Sequence, residues 1–267
     1  MTHRLLVQTG LLDGERAVLP PAAMHHLKVV RPRQGEFMEL FDGAGSSRLY
    51  RVDLHSGPSP TLTAAGAILR HRPRRFRTTL FACVTKGSRW DWTIEKATEL
   101  GVARIVPVIS ERCIVRIPKG ERAAKRERWR RIAEDAARQS DAQWLPEVCE
   151  AMDFRDALAL AKGCTCFAGA LVDPPPEPLL AAVRRQMVDA PEEEDFGLFV
   201  GPEGDFTPEE LEALLKFAVP TSFGDTILRA ETAAIFGLSA IVAACQERMS
   251  AASRDAGTAE MGAANAT

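Results

Sequence analysis

Two short segments combine residue types that can do chemistry with spacing that brings them together. Gly201-Pro202-Glu203-Gly204-Asp205-Phe206 follows the apolar run Phe196-Gly197-Leu198-Phe199-Val200 and precedes Thr207-Pro208-Glu209-Glu210. The latter is a capping box with proline at the first helical position, so the segment reads as a loop between a buried strand and a helix. Glycines there let a ligand approach the backbone closely, and ligands of open α/β sheets bind at strand carboxyl ends. A strand-to-helix turn also needs glycine for its geometry alone, and the segment is neither G-x-G-x-x-G nor G-x-x-x-x-G-K-[ST]. The second segment, Phe223-Gly224-Asp225-Thr226-Ile227-Leu228-Arg229-Ala230-Glu231-Thr232-Ala233-Ala234, sets an arginine and a glutamate two apart at the mouth of an apolar helix. That pair suits chemistry at the loop, or equally a dipole-favoured acid with Arg229 as its ion-pair partner.

A third feature is basic. Between residues 112 and 131 stand nine lysines and arginines against Glu121 and Glu127, beside Trp129. A solvated helix face is the ordinary account of such a run, but this imbalance favours a phosphate-contacting surface. Residues 1–145 carry 26 Lys and Arg against 15 Asp and Glu, while residues 146–267 carry 8 against 21, so the net charge of −2 conceals a polyanion-binding front half. Other chemistry is thinly represented. The five histidines, at 3, 25, 26, 55 and 71, are not at metal-ligand spacing, and the six cysteines, at 83, 113, 149, 164, 166 and 245, contain no C-x-x-C pair. No metal is expected, and the cysteines read as buried apolar thiols in a reducing compartment.

The elements that must position these residues fall into two patterns. Residues 1–72 show short strands, among them Phe37-Met38-Glu39-Leu40-Phe41 and the alternating Arg48-Leu49-Tyr50-Arg51-Val52-Asp53-Leu54, broken by Asp42-Gly43-Ala44-Gly45 and Gly57-Pro58-Ser59-Pro60. They predict a small β-barrel. His71-Arg72-Pro73-Arg74-Arg75 reads as a linker. Beyond it strands alternate with helices, which predicts an α/β unit with a mainly parallel sheet over 76–249. Strands are expected at 79–84, 102–109, 164–171 and 196–200. Helices are expected at 88–100 with Ser88 as cap and Gly101 as stop, at 121–140, from 207, and at 232–248. The tail 250–267 is Ala/Gly-rich and is expected to lack structure. Of the 267 residues, 46 % are hydrophobic and 26 % charged, a globular composition. No apolar run is long enough to span a bilayer, and no secretory signal opens the chain, so a cytoplasmic protein is expected.

Gly201-Pro202-Glu203-Gly204 and Ile227-Leu228-Arg229-Ala230-Glu231-Thr232-Ala233 resemble the two late signatures of the SPOUT-type ribosomal RNA methyltransferases, and more narrowly of the bacterial enzymes that methylate N3 of a uridine in small-subunit ribosomal RNA. Thr93-Ile94-Glu95-Lys96-Ala97-Thr98-Glu99-Leu100-Gly101-Val102, Ser110-Glu111-Arg112-Cys113, Trp129-Arg130-Arg131-Ile132-Ala133 with Ala136 and Gln139, Pro146-Glu147-Val148, and in the barrel Val30-Arg31, Gly35 and Leu40-Phe41-Asp42-Gly43 match the same family. The ordered set covers nearly all of residues 1–248. Where the family often has a second glycine stands Asp205, where it usually has Gly-Arg stand Asp141-Ala142, and where it commonly has Leu-Gly-Pro-Arg stand Phe223-Gly224-Asp225-Thr226.

The resemblance implies a C-terminal α/β domain with a deep trefoil knot, an N-terminal PUA-like RNA-binding barrel, a homodimer and S-adenosylmethionine as cofactor. Carried over by position, Val200, Gly201, Pro202 and Gly204 belong to one cofactor loop, and Phe223, Gly224, Ile227, Leu228 and Thr232 to the other. Arg229 then stabilises negative charge on the uracil oxygens, Glu231 orients Arg229 or binds the base edge, and Glu203 is a rival general base, since no histidine follows His71. The apolar last helix adds its own argument for a dimer. Arg4, Arg31, Arg112, Lys125, Arg126 and Arg128 are expected to contact RNA of the small ribosomal subunit. The alternatives are a knotted methyltransferase for a ribose 2′-hydroxyl or transfer RNA, and a non-catalytic RNA-binding assembly factor of the same fold.

Overall fold

A computed structural model describes residues 3–19, 23–24, 27, 31–55, 60–170, 172, 174–188 and 194–264, with side chains as far as 251. His25, His26, Val30, Gly57, Pro58, Ser59 and Leu171 lie outside the described residues.

The front unit is a six-stranded sheet of β1 (His3–Leu6), β2 (Arg16–Ala17), β3 (Phe37–Phe41), β4 (Ser46–Asp53), β5 (Thr61–Ala64) and β6 (Leu69–Arg70). The order is β1-β3-β4-β5-β2, with β6 also on β4. The β1–β3 pair is parallel and the others are antiparallel. Along β4, Tyr50 and Val52 point inward and Leu49 and Arg51 outward, the alternation read from the sequence. Tyr50 closes the core with Leu5, Leu12, Met38, Leu40 and Leu62, and its hydroxyl donates to the Leu12 carbonyl at 3.1 Å.

The back unit is a seven-stranded sheet in which every pairing is parallel. Its strands are β7 (Phe76–Cys83), β8 (Arg104–Ile109), β9 (Glu147–Val148), β10 (Met152–Asp153), β11 (Thr165–Gly169), β12 (Glu194–Val200) and β13 (Ala218–Thr221), in the order β10-β8-β7-β12-β11-β13, with β9 on β8. Its helices are α1 (Ser88–Glu99), α2 (Lys119–Gln139), α3 (Phe154–Leu160), α4 (Leu179–Val188), α5 (Pro208–Leu215) and α6 (Ala230–Ala264). Parallel strands buried on both faces must be apolar throughout. In β7, Leu80 and Ala82 pack under α1, α2, α4 and α6, while Phe81 and Cys83 face Val106, Phe199 and Phe206. The Trp90 and Trp129 rings meet edge to face at 5.7 Å and join α1 to α2.

The structure amends several expectations. Ser88 is the first helical residue; the cap position is Gly87, and no side chain caps the helix. The helix from Thr207 starts as expected, with both capping-box bonds made. The last helix runs to Ala264 rather than 248, through the tail expected to lack structure. Alanine is the best helix former, and no proline interrupts the run. The two-residue strands β9 and β10, and β13 with its Pro220, are too short or too atypical to announce themselves. Within one chain α6 buries one stripe, through Ala233, Ala234, Leu238, Ile241, Ala244 and Cys245, and leaves Phe236 45 % exposed.

The two units are bolted together. Arg4, whose side chain is 5 % exposed, pairs with Glu39 at 2.9 Å and Asp141 at 3.0 Å. It also donates to the carbonyls of Ala137 and Ala142 and lies over the Phe41 ring. Gly45 donates to the Gln143 carbonyl at 3.0 Å. Its φ is +91°, and a Cβ there would stand 2.2 Å from the Trp144 ring, so only glycine lets the strands dock.

Candidate active site and cofactor cavity

Strands β11, β12 and β13 lie side by side and parallel, so their carboxyl ends deliver three loops to one place. Between those loops lies a cavity of about 280 Å³. Val200, Gly201, Pro202 and Glu203 line it from the β12 loop, and Phe223, Gly224, Ile227, Leu228 and Arg229 from the β13 loop. Seven of the nine residues assigned to the cofactor loops from sequence therefore line one cavity. Gly204 and Thr232 do not reach it: Gly204 packs on Arg112, and Thr232 lines an adjoining opening.

The β12 loop is braced from within. Asp205 has φ +61°, the left-handed region where a glycine is at home and an aspartate tolerated. Its carboxylate accepts the Phe206 N–H at 2.7 Å, and its own N–H donates to Pro202 at 2.9 Å. Arg112 donates to the carbonyls of Gly204 at 3.0 Å and Phe206 at 3.3 Å. Its neighbour Cys113 has its thiol pKa lowered to about 6 by hydrogen bonding with Cys83 and Ser110 and by the Arg116 charge, against the opposing effect of burial. Cys83 is pushed the other way, by burial first.

On the rim, the expected Arg229–Glu231 pair is not formed. Residues two apart at a helix start point away from each other. Glu231 Oε1 instead stands 3.7 Å from Arg89 Nε, and Arg89 Nη1 stands 3.6 Å from Glu203 Oε1. One arginine of α1 thus bridges both candidate carboxylates, and Arg229 is exposed, with no ion pair among the described residues. The second oxygen of Glu231 is buried and accepts no hydrogen bond among the described residues. Arg89 escaped the sequence reading because nothing in its own segment reveals that β7, which it follows, lies next to β12. Glu231 and Thr232 share an opening of about 390 Å³ with Ser88, Arg89 and Trp92.

The basic candidates divide. Arg4 is consumed by the junction between the units and is not on a free surface, because burial demands the partners it has. Asp141 and Ala142 supply two of them. Arg31 is exposed, with φ +51°. Arg112 is the loop brace just described. Lys125 is exposed and has no partner among the described residues, Arg126 donates to the Val148 carbonyl at 3.0 Å, and Arg128 is doubly paired with Asp91. Arg122 pairs with Asp153, and Arg130 with Glu127 and Glu134. Of the nine basic residues, Lys119, Lys125 and Arg131 make no side-chain hydrogen bond or ion pair among the described residues. Among the described residues no group of three or more His, Cys, Asp and Glu is placed to hold a metal, and no helix is long and apolar enough to cross a membrane.

Comparison with known proteins bears on this arrangement. Residues 72–242 match the model of the RNA methyltransferase domain. A ribosomal RNA small subunit methyltransferase E of Synechocystis is 31 % identical over 243 residues, covering 90 % of this chain and 77 % of that protein. The same-named protein of Mycobacterium tuberculosis is 31 % identical over 87 % of this chain and 85 % of its own. A methyltransferase of Legionella pneumophila, solved with bound S-adenosylmethionine, superposes with a TM-score of 0.79 at 29 % identity, over 91 % of this chain and 98 % of that one. Methyltransferase E of Neisseria gonorrhoeae, bound to the same cofactor, gives 0.74 at 28 % identity, over 90 % and 97 %. With its parallel sheet, its two loops on one cavity and these relatives, the chain belongs to the RNA methyltransferase family, in the group of the ribosomal RNA small subunit methyltransferases E.

Proposed function

We propose that this chain methylates N3 of a uridine in small-subunit ribosomal RNA, with S-adenosylmethionine held in the cavity between the β12 and β13 loops. The observation that carries the reading is that Arg89 gathers Glu203 and Glu231 at the edge of that cavity. The cavity suits the cofactor: Val200, Pro202, Phe223, Ile227 and Leu228 offer apolar surface to a nucleoside, and the Gly224 backbone, where a Cβ would meet nothing, lies open to close approach. Its volume of about 280 Å³ is near the lower end for small-molecule pockets. When bound, S-adenosylmethionine supplies a methyl group on a cationic sulfonium, which leaves as a neutral thioether.

The chain's own residues then have three tasks. Glu231 accepts the N3 proton on its unpartnered oxygen, Arg229 faces the negative charge that develops on the uracil oxygens, and Arg89 holds the two carboxylates in place. The same reading gives residues 1–72 a PUA-like RNA-holding role, gives 76–249 the trefoil knot, and pairs two subunits in the cytoplasm through the exposed side of α6, where Phe223 and Phe236 lie ring to ring at 5.7 Å. Isothermal titration calorimetry with S-adenosylmethionine tests the cavity: micromolar binding supports the reading, and its absence leaves a non-catalytic RNA-binding scaffold. Mapping modified uridines in ribosomal RNA from a deletion strain tests the target: loss of one N3-methyluridine is expected, and an unchanged small-subunit RNA overturns the assignment.

A further inference from the structure

We propose that the opening beside the cofactor cavity seats the target base, with Trp92 as its stacking face. The inference rests on the methyl-transfer reading above and adds to it the residues that recognise the acceptor.

Trp92 is 41 % exposed, whereas Trp90 and Trp129 in the same helix pair are 2 % exposed. A large ring left at the mouth of an opening is a ready-made surface for an unstacked base. Trp92 follows Arg89 by three residues on α1, so the two side chains share one face of the helix. Across the opening of about 390 Å³ stand Glu231 and Thr232, from the start of α6. Arg89 also reaches Glu203, which lines the cofactor cavity, so the two spaces share a wall made of one ion cluster. Methyl transfer needs donor and acceptor adjacent in this way.

The polar groups fit uracil. Glu231 Oε2 is buried and accepts no hydrogen bond among the described residues, a condition that costs free energy until a turn of the carboxylate brings a donor to it. The N3–H of uracil is such a donor, and the flanking ring carbonyls are acceptors for the Arg89 guanidinium. Cytosine carries no proton on N3 and would set a lone pair against the carboxylate. Stacking on Trp92 is indifferent to base identity, so the ring supplies affinity and the Arg89–Glu231 pair supplies choice. A base so bound has left its helix or loop stack.

The test uses the full-length protein, tritiated S-adenosylmethionine and small ribosomal subunits from a strain lacking the gene. Trp92→Ala is expected to raise KM for subunits by about 5- to 150-fold, while Trp92→Phe, which keeps a ring face, stays within about threefold of wild type. The S-adenosylmethionine affinity of both, by calorimetry, is expected to be unchanged. An unaltered KM in Trp92→Ala overturns the base seat, and so does a loss of dimer in light scattering that accounts for the whole effect, because Trp92 is then covered by a second copy of the chain. If the wild-type protein transfers no methyl group to any subunit, the methyl-transfer reading fails and takes the seat with it. Wild-type transfer that Trp92→Ala leaves untouched overturns the seat alone.

Discussion

Arg89 Nε lies 3.7 Å from Glu231 Oε1, joining the first turn of α1 to the first turn of α6. These helices are far apart in sequence, but they pack on the same face of the sheet, above β7 and β12. The contact therefore exists only because the parallel sheet interleaves strands from both ends of the unit. It leaves Glu231 with one oxygen engaged and one waiting.

Removing that cation should separate positioning from cofactor binding. Arg89→Ala is expected to lower kcat by roughly 10²-fold, the scale of losing one preorganised charge, with S-adenosylmethionine affinity within about threefold of wild type. Arg89→Lys should recover part of the rate. Glu231→Gln should abolish the chemical step in single-turnover methyl transfer, and Glu203→Gln should keep most of it. The opposite pattern in single-turnover methyl transfer would make Glu203 the base.

Arg4 should behave as a structural residue. Arg4→Ala strands Glu39 and should cost about 3–5 kcal/mol in denaturant unfolding, the range for breaking a buried pair. Asp141→Ala, at a side chain 76 % exposed, should cost under about 1 kcal/mol. Burial raises the Glu39 pKa, but bonds from Ser47 and Arg4 outweigh it and hold the group below the ordinary 4.5. A depressed carboxylate contributes stability above its unfolded pKa and loses it as pH falls through the folded one. Melting temperatures should therefore be insensitive to this clamp above about pH 5 and lose its contribution as pH falls below the ordinary 4.5, and that part of the loss should be absent in Glu39→Gln.

The uncommitted charges of α2 should carry RNA affinity. Reversing Lys119, Lys125 and Arg131 to Glu is expected to weaken RNA binding and reduce the slope of log affinity against log salt by roughly two to three. Reversing Arg128 should instead destabilise the fold, since it breaks the Asp91 pair. Filter binding at several salt concentrations, with circular dichroism as a check on folding, distinguishes them. An unchanged slope in the triple reversal would make α2 a solvated face only.

Gly224 has φ +113°, and a Cβ there meets open space. Gly224→Ala therefore introduces strain without a clash, at about 1–3 kcal/mol. Alanine lets the cofactor-free loop relax out of that conformation, and the strain is restored on binding, so S-adenosylmethionine affinity should drop by roughly 5- to 150-fold, with little change in melting temperature without cofactor. Calorimetry beside thermal denaturation reads both.

Much of this architecture was legible in the chain. The strand and helix alternation after residue 75, the Thr207 capping box and the apolar runs of β7 and β12 each follow from local patterning. The Gly201–Phe206 loop read equally as a ligand loop or as a turn that needs glycine for its geometry, and the assignment of both loops to a cofactor came from the family resemblance, not from local patterning. Partnership was not legible. The pairing of Arg89 with Glu231, and of Arg4 with Asp141, depends on strand order and on the docking of two units, and neither has a local signal. Basic residues were overcounted for the same reason: Arg112 and Arg126 look like free charges in sequence but spend their donors on the carbonyls of Gly204 and Val148.

The most direct measurement is transfer of a tritiated methyl group from S-adenosylmethionine to small ribosomal subunits, followed by nucleoside digestion and mass spectrometry. The arrangement of Arg89, Glu203 and Glu231 beside the cofactor cavity predicts label in a single N3-methyluridine, lost in Glu231→Gln. Label on a ribose 2′-oxygen, or no transfer from a folded protein that binds the cofactor, would contradict it.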